Sequence, residues 1–284
     1  MKQLIACYLI PVCFCLAVYT GASAQQSPKI FRAVAFIKGE HDEAHISFMK
    51  EGNAWFRRQA ELFSFVYDTT TNWDNLNDSF LAKYDVVLFP DARPEKETQR
   101  LAFRHYIEAG GGWMGFHFAA FALTPSDFPQ DWDWYHREFL GSGSYVSNTW
   151  RPTAAVLKIE DRNPFGPDSL PSRISSAPNE WYRWELDLRK NKSIRILASI
   201  DTSSFPLGTG PKKWEIWTSG YYPVVWRNTK YNMIYFNMGH NDIDYEGGTN
   251  KTLSYTFANE AQSRLILQAL LSIGQKGAGR HSGH

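Results

Sequence analysis

Five side chains that can transfer protons or bind a metal follow closely on short apolar runs: His41, Asp42, Asp91, His117 and His240. Runs of this length and composition predict buried β-strands. In a parallel sheet the carboxyl ends of the strands meet at one edge, which is where ligands bind. Histidines and aspartates gathered at that edge would suit general acid–base chemistry or a metal ion.

Two of these residues also have a simpler interpretation. Asp42 stands at the start of a helical pattern, where its carboxylate could cap the helix. Asp91 comes shortly before Pro94 and could order a turn, which is the favoured interpretation of this residue. The functional interpretation is favoured for His117, because three glycines precede its strand and indicate close backbone approach. We therefore predict His117 as a catalytic residue, with His240 as its partner.

Metal binding is a second interpretation of the histidines. His41 and His45 are four residues apart, which on a helix would place both imidazoles on one face. Glutamate does not follow the first histidine directly, so the pair is not the zinc-protease pattern, and a solvated helix start is the favoured explanation of it. The sequence requires no cofactor. If a divalent metal is bound, we expect His41, His117 and His240 to be its ligands.

Aromatic residues surround another candidate. Glu180 is followed by Trp181 and Tyr182, and a carboxylate between aromatic faces can have a raised pKa and act as an acid, or can hold sugar hydroxyls. A surface glutamate at a strand edge is the alternative. Trp134, in a short aromatic helix, could stack on a sugar ring or pack in the core. We expect Glu180 to be catalytic. The predicted substrate-binding residues are His41, Asp42, Trp134, Trp181 and Tyr182.

The elements that must position these side chains alternate between strand and helix. The predicted strands of the first half are Ile30–Ile37, Phe63–Asp68, Tyr84–Pro90 and the stretch that follows Gly110. Helical patterns fill the first interval, with Leu62 among the apolar positions, and the third, from Pro94 to Ala109. This alternation predicts an α/β fold with a doubly wound, mostly parallel sheet and helices on both faces.

The second half of the chain adds further strands. They are predicted at Thr153–Ile159, 179–182, Ile194–Ile200, Tyr222–Arg227 and Asn232–Asn237. The other predicted segments are a short helix at Asp131–Leu140, a turn-rich connection at Asp161–Pro178, a loop at Thr202–Lys213 and a final helix from about Leu253 to Ile273. Because no repeat or composition break occurs, residues 25–274 are predicted to form a single domain, with a disordered tail at 275–284.

The amino terminus has the pattern of a secretory signal peptide. Lys2 precedes an apolar run from Leu4 to Val18, and Ala22-Ser23-Ala24 forms a small-x-small cleavage pattern. Cleavage after residue 24 would remove all three cysteines and leave 284 − 24 = 260 residues. An exported chain without disulfides fits a bacterial periplasm. We therefore predict a periplasmic or secreted protein that has no membrane attachment after cleavage.

Composition limits the class of ligand. The formal net charge is only +1, which does not indicate nucleic-acid binding. The sequence contains eleven tryptophans, and such a surplus of aromatic faces suits a sugar ring as well as a core. We expect a small-molecule sugar or glycoside as the partner, and a homo-oligomer is compatible with the sequence.

Five motifs occur in the order seen in the trehalose-utilisation (ThuA-like) family. They are GGGWMGFH at 110–117, WDWY at 132–135, NEWY at 179–182, YPVVW at 222–226 and YFNMGH at 235–240. The chain resembles this family over about residues 30–274. The resemblance implies a flavodoxin-like fold similar to that of class I glutamine amidotransferases. His117 takes the place of their nucleophilic cysteine, so amidotransferase chemistry is not implied.

The resemblance also implies a site and a function. The site would consist of His41, Asp42, His117, Glu180 and His240, and the family is tied to carbohydrate use, including sugars oxidised at the 3-position. Phe118 and Phe121 depart from the family pattern and would narrow the pocket. We predict a periplasmic enzyme that acts on a sugar or 3-keto-glycoside by hydrolysis, elimination or isomerisation. The alternative is a non-catalytic carbohydrate-binding protein.

Overall fold

The computed structural model describes residues 31–38, 43–123, 132–149, 152–166, 169–204, 220–241 and 254–280. The predicted signal peptide lies outside these residues, as do His41, Asp42 and most of the loop predicted at 202–213. Their structural and functional roles stay predictions.

Strands and helices alternate through the first part of the described chain. The strands are β1 (Arg32–Phe36), β2 (Val66–Thr70), β3 (Val86–Phe89), β4 (Gly112–Phe116), β5 (Tyr145–Asn148), β6 (Val156–Ile159), β7 (Arg173–Ser175), β8 (Tyr182–Trp184), β9 (Ile194–Ile200), β10 (Pro223–Asn228) and β11 (Met233–Phe236). The α-helices are α1 (Glu43–Phe63), α2 (Asp78–Leu81), α3 (Glu97–Glu108) and α4 (Glu260–Gly279). Among the described residues, no helix combines the length and apolar character needed to cross a bilayer.

Nine of these strands form one mixed sheet in the order β2-β1-β3-β4-β11-β10-β9-β6-β7. The pairs from β2 to β11 are parallel, and beyond β11 each neighbour is antiparallel. Strands β5 and β8 form a separate antiparallel pair. The predicted α/β fold, with a parallel first half and extra strands in the second half, is confirmed.

Two hydrophobic cores lie on opposite faces of the sheet. Successive side chains of a strand point to opposite faces. Ala33 and Ala35 therefore pack in one core with residues of α1 and α4, while Val34 and Phe36 pack in the other with residues of α3. Because both faces are covered, the central strands are buried throughout.

The end of α1 differs from the prediction. The helix continues to Phe63, and Ser64 then adopts a left-handed φ of 56° that ends it, so β2 begins at Val66 instead of Phe63. Leu62, predicted on the apolar face, is 67% exposed. Apolar residues that join a helix to a strand fit both periodicities, so sequence alone does not separate them.

Several further elements differ from the prediction. β5 was not predicted, and β7 lies within the segment predicted as a turn-rich connection; each has only three or four residues. Residues 275–279, predicted as part of a disordered tail, belong to α4. Gly277 lets this last turn approach the carbonyl of Asp85 so closely that a Cβ would collide with it. Gly277 in the segment predicted to be disordered therefore allows tight packing.

We expect Gly115→Ala to destabilise the fold by about 1–3 kcal/mol, because overpacking a core has this typical cost. A Cβ at Gly115 would overlap the six-membered ring of the Trp113 indole, which is itself fully buried. Urea unfolding measures the change. Gly279→Ala is the matched control, since a Cβ there meets nothing. Equal stability of the two variants would contradict the packing account.

Candidate active site

The parallel register brings the ends of β3, β4 and β11 to one edge of the sheet. Phe89 pairs with Gly115 on β4, and Phe116 pairs with Phe236 on β11. Asp91, His117 and His240 follow these strand ends by two, one and four residues. The predicted common edge is therefore observed for these three residues, whereas His41 and Asp42 lie outside the described residues.

His117 is held in a strained and enclosed position. Its φ of 45° is left-handed, an uncommon conformation for a non-glycine residue and one that is concentrated at functional sites. Tyr235 donates a hydrogen bond from its hydroxyl to the His117 carbonyl over 2.8 Å. The imidazole stacks on Tyr182 with ring centroids 4.2 Å apart, and the backbone of Gly239 packs against it. The ring therefore has little freedom to move.

Three buried imidazoles meet at this edge. His45, His117 and His240 each offer a ring nitrogen, and these three atoms lie within 4.8 Å of one another. The residues are 9%, 0% and 3% exposed, respectively. We call these residues the histidine cluster. His45 belongs to the first turn of α1 and is buried there, so its interpretation as part of a solvated helix start is wrong. That turn faces the sheet edge because α1 covers one face of the parallel strands.

Glu180 lies between two members of the histidine cluster. Its Oε2 is 3.2 Å from Nε2 of His117 and 3.3 Å from Nε2 of His240. Its Oε1 accepts a hydrogen bond from Asn148 over 2.6 Å. Because Glu180 is only 7% exposed, its interpretation as a surface residue at a strand edge is wrong.

The protonation state of this pair follows from burial and charge together. Burial alone would raise the pKa of Glu180, but the imidazoles of His117 and His240 outweigh it and lower that pKa below its usual range. Burial lowers the pKa of His117, against the opposing pull of the Glu180 carboxylate. The predicted raised pKa of Glu180 is wrong, because its decisive neighbours are imidazoles. At neutral pH the site combines an ionised carboxylate with a neutral His117.

Asp91 connects β3 to the histidine cluster. Its fully buried carboxylate places Oδ2 2.5 Å from Nδ1 of His45, and its Oδ1 accepts the backbone N–H of Phe118 over 3.1 Å. The prediction that Asp91 orders a turn before Pro94 is therefore replaced by a role in positioning His45. A carboxylate on Nδ1 fixes the tautomer with its hydrogen on that nitrogen, so the lone pair is on Nε2.

The predicted sugar-stacking tryptophans belong to the core. Trp134 is 8% exposed and stacks on Phe139. Trp181 is fully buried and donates its indole N–H to the carbonyl of Thr153 over 2.7 Å. Because burying a large apolar ring is more favourable than exposing it, both rings pack in the core, and neither presents a face to a ligand. Tyr182, in contrast, contacts His117 directly.

Sequence reasoning missed three residues that build this site. His45 was assigned to a solvated helix start and Asp91 to a turn, although the four-residue spacing of His41 and His45 had marked His45 as a possible metal ligand. Asn148 gave no signal, because β5 was not predicted and its contact to Glu180 joins residues 32 positions apart.

We expect Gly239→Ala to act through His117. A Cβ at residue 239 would overlap Cγ and Nδ1 of the His117 ring, so the substitution should cost about 1–3 kcal/mol of stability. In a His117→Ala background the obstacle is gone, and the cost should fall below about 0.5 kcal/mol. Urea unfolding of the four chains of this double-mutant cycle gives both values. The same cost in both backgrounds would show that another contact is responsible.

His136 provides a pH-dependent prediction outside the histidine cluster. Burial, with the charge of Arg93, lowers the pKa of His136 from 6.5 to about 3. The unfolded chain therefore binds a proton at His136 more readily than the folded chain does. The contribution of neutral His136 to folding stability is complete above pH 6.5 and is lost as the pH falls. Between pH 7.5 and 5 we expect His136→Asn to lose about 2 kcal/mol less stability than the unaltered chain. Urea unfolding at both pH values tests this, and equal losses would contradict it.

Comparison with known proteins agrees with this architecture. The family described as "ThuA: Trehalose utilisation" matches residues 32–255. A ThuA-like protein from Bacteroides uniformis is 29% identical, with a TM-score of 0.74 over 89% of this chain and 95% of that protein. A ThuA-like protein from Parabacteroides merdae is 18% identical, with a TM-score of 0.53 over 88% of this chain and 90% of that one, a likeness of fold.

A comparison with curated proteins finds no match. The family match nevertheless spans well over half of the chain, and it contains the whole histidine cluster together with Asp91 and Glu180. The resemblance inferred from the sequence motifs is confirmed. This chain belongs to the ThuA family of trehalose utilisation, a family of carbohydrate metabolism.

Proposed function

We propose that this protein is a carbohydrate-processing enzyme whose active site comprises Glu180 and the histidine cluster. The observation that carries the proposal is the Glu180 carboxylate, buried between His117 and His240 at the edge of a parallel sheet. Membership of a family named for trehalose utilisation supports carbohydrate as the substrate class. As the sequence pattern suggests, the substrate is a sugar or glycoside, and a 3-keto-glycoside fits the chemistry best.

A 3-keto sugar needs two groups from the protein. The C–H bond beside its carbonyl is acidified, so a base that removes the proton and a donor that stabilises the oxyanion suffice for elimination or isomerisation. Glu180 is in the protonation state that a base requires. Neutral His117, held by Tyr182, is suited to stabilise the developing charge without carrying a charge of its own. This assignment makes Glu180 the base, with His117 and His240 beside it.

Phenylalanines take the stacking role that the tryptophans do not have. Phe118 and Phe121 are half-buried and stack on each other with centroids 4.6 Å apart. Phe118 also lies beside His45, with centroids 5.4 Å apart. A sugar presents apolar C–H faces that pack well on aromatic rings. We infer that the sugar ring lies against these phenylalanines, with its reacting carbon toward Glu180.

A non-catalytic carbohydrate-binding protein is the competing proposal. Burying an ionised carboxylate is costly unless its partners offset the cost, and sugar binding alone does not require it. The buried Glu180 therefore favours catalysis. We place the enzyme in the periplasm or outside the cell, on the strength of the signal-peptide pattern at residues 1–24.

Glu180→Gln tests the catalytic role. We expect kcat on a 3-keto disaccharide to fall by about 10²–10⁴-fold, because the amide cannot accept the proton, while sugar affinity changes little. Product formation is measured on 3-keto and unoxidised disaccharides, and affinity by calorimetry. Glu185→Gln, at an exposed carboxylate paired with Arg137, is the matched control and should retain full activity. Sugar binding without product from any of these substrates would support the binding protein instead.

A further inference from the structure

We propose that His45, His117 and His240 bind one divalent transition-metal ion, with Asp91 orienting His45 and Glu180 standing next to the ion. The binding site follows from the geometry of the side chains. The part the ion plays in turnover rests on the proposed function above.

The three imidazoles have nearly the spacing of a metal site. Their candidate ligand atoms lie within 4.8 Å of one another. An ion at the centre of such a triangle would be within about 2.8 Å of each nitrogen, against roughly 2.0–2.1 Å for a zinc–imidazole bond. An inward shift of less than about 1 Å per ring would complete the coordination.

The hydrogen bonding of His117 points to a ligand. Its side chain is fully buried, and among the described residues neither ring nitrogen makes a hydrogen bond, although Glu180 lies 3.2 Å from Nε2. A buried polar group left in this state costs about 1–3 kcal/mol. A cation bound to one of these nitrogens would satisfy its lone pair and so reduce that cost. The contact with Glu180 has the length of an ion pair without the direction of an N–H bond.

Asp91 and His45 form the arrangement that commonly supports a metal-binding histidine. A carboxylate that accepts the second ring N–H fixes the tautomer and raises the basicity of the ligand nitrogen. Asp91 does this for His45 over 2.5 Å and is itself anchored by the backbone N–H of Phe118. Of the proposed ligands, His45 therefore has its lone pair on Nε2 already set.

Ligand chemistry selects the class of ion. Three imidazoles suit zinc and its neighbours cobalt, nickel, iron and copper, whereas magnesium and calcium prefer oxygen ligands. Two buried carboxylates, Asp91 and Glu180, place negative charge beside the cluster, which a divalent cation offsets. Three protein ligands leave a coordination position open, as catalytic zinc sites do. If the proposed function holds, the ion would supply Lewis-acid polarisation of the sugar carbonyl beside the charge stabilisation assigned to His117, with Glu180 as the adjacent base.

Metal binding is tested on the full chain without reference to turnover. The purified protein is stripped with a chelator and titrated with Zn²⁺ by calorimetry, and with Co²⁺ by visible absorption, which reports the ligand geometry. We expect one ion per chain. His45→Gln, His117→Gln and His240→Gln should each weaken affinity more than about 100-fold, and Asp91→Asn about 10–100-fold with unchanged stoichiometry. Glu180→Gln should keep the ion.

The control variants use histidines outside the cluster. His136→Asn replaces another buried histidine, and a double His281→Ala, His284→Ala variant removes two that lie outside the described residues. Both should bind the ion as the unaltered chain does. Circular dichroism confirms that each compared variant is folded, and Asp91→Asn tests the site even if a ligand variant unfolds.

The outcomes separate this inference from the proposed function. Absence of saturable Zn²⁺ or Co²⁺ binding, or loss of binding in the control variants alone, would overturn the metal centre. If the stripped protein binds no ion and keeps its full turnover, the metal centre is overturned and the enzyme assignment stays intact. One tightly bound ion that depends on the three histidines, with no product from any sugar, would support the metal centre and overturn the proposed function.

Discussion

The parallel pairing of β3, β4 and β11 is the constraint on which the site depends. Parallel neighbours deliver their carboxyl ends to the same edge, so Asp91, His117 and His240 arrive together although they are far apart in the chain. The first turn of α1 brings His45 to the same edge. If β11 ran antiparallel to β4, His240 would leave the sheet at its opposite edge. The direction of the strands therefore decides which side chains can meet at the site.

Burying so many polar groups has a free-energy cost that their hydrogen-bond partners offset only in part. Asp91 is satisfied by His45 and a backbone N–H, and Glu180 by Asn148. The ring nitrogens of His117 lack a hydrogen bond within the described residues, and its backbone φ is left-handed. Selection for stability alone would not favour a buried residue whose backbone is strained and whose ring nitrogens lack hydrogen bonds. The combination therefore indicates a functional site.

Acid–base chemistry and metal binding are compatible at this site. In the proposed metal centre the three histidines would supply the nitrogen ligands, and Oε2 of Glu180 lies 3.2 and 3.3 Å from the Nε2 atoms of His117 and His240, close enough to act on a group bound to the same ion. Phe118 and Phe121 add a half-buried aromatic surface next to His45. The oxidised-sugar chemistry proposed above uses a base, a group that stabilises the oxyanion and an apolar wall, and the proposed ion would assist the second of these.

The sequence by itself determined the alternation of strands and helices, the position of His117 after a glycine-rich turn and the pairing of His240 with it. These follow from local periodicity and from the rule that strand ends carry ligands. Only the tertiary structure decided that His45 and Asp91 join the site, that Asn148 holds Glu180, and that Trp134 and Trp181 are core. Those outcomes depend on contacts between residues 32 to 195 positions apart in the chain, and on burial, which local sequence does not encode.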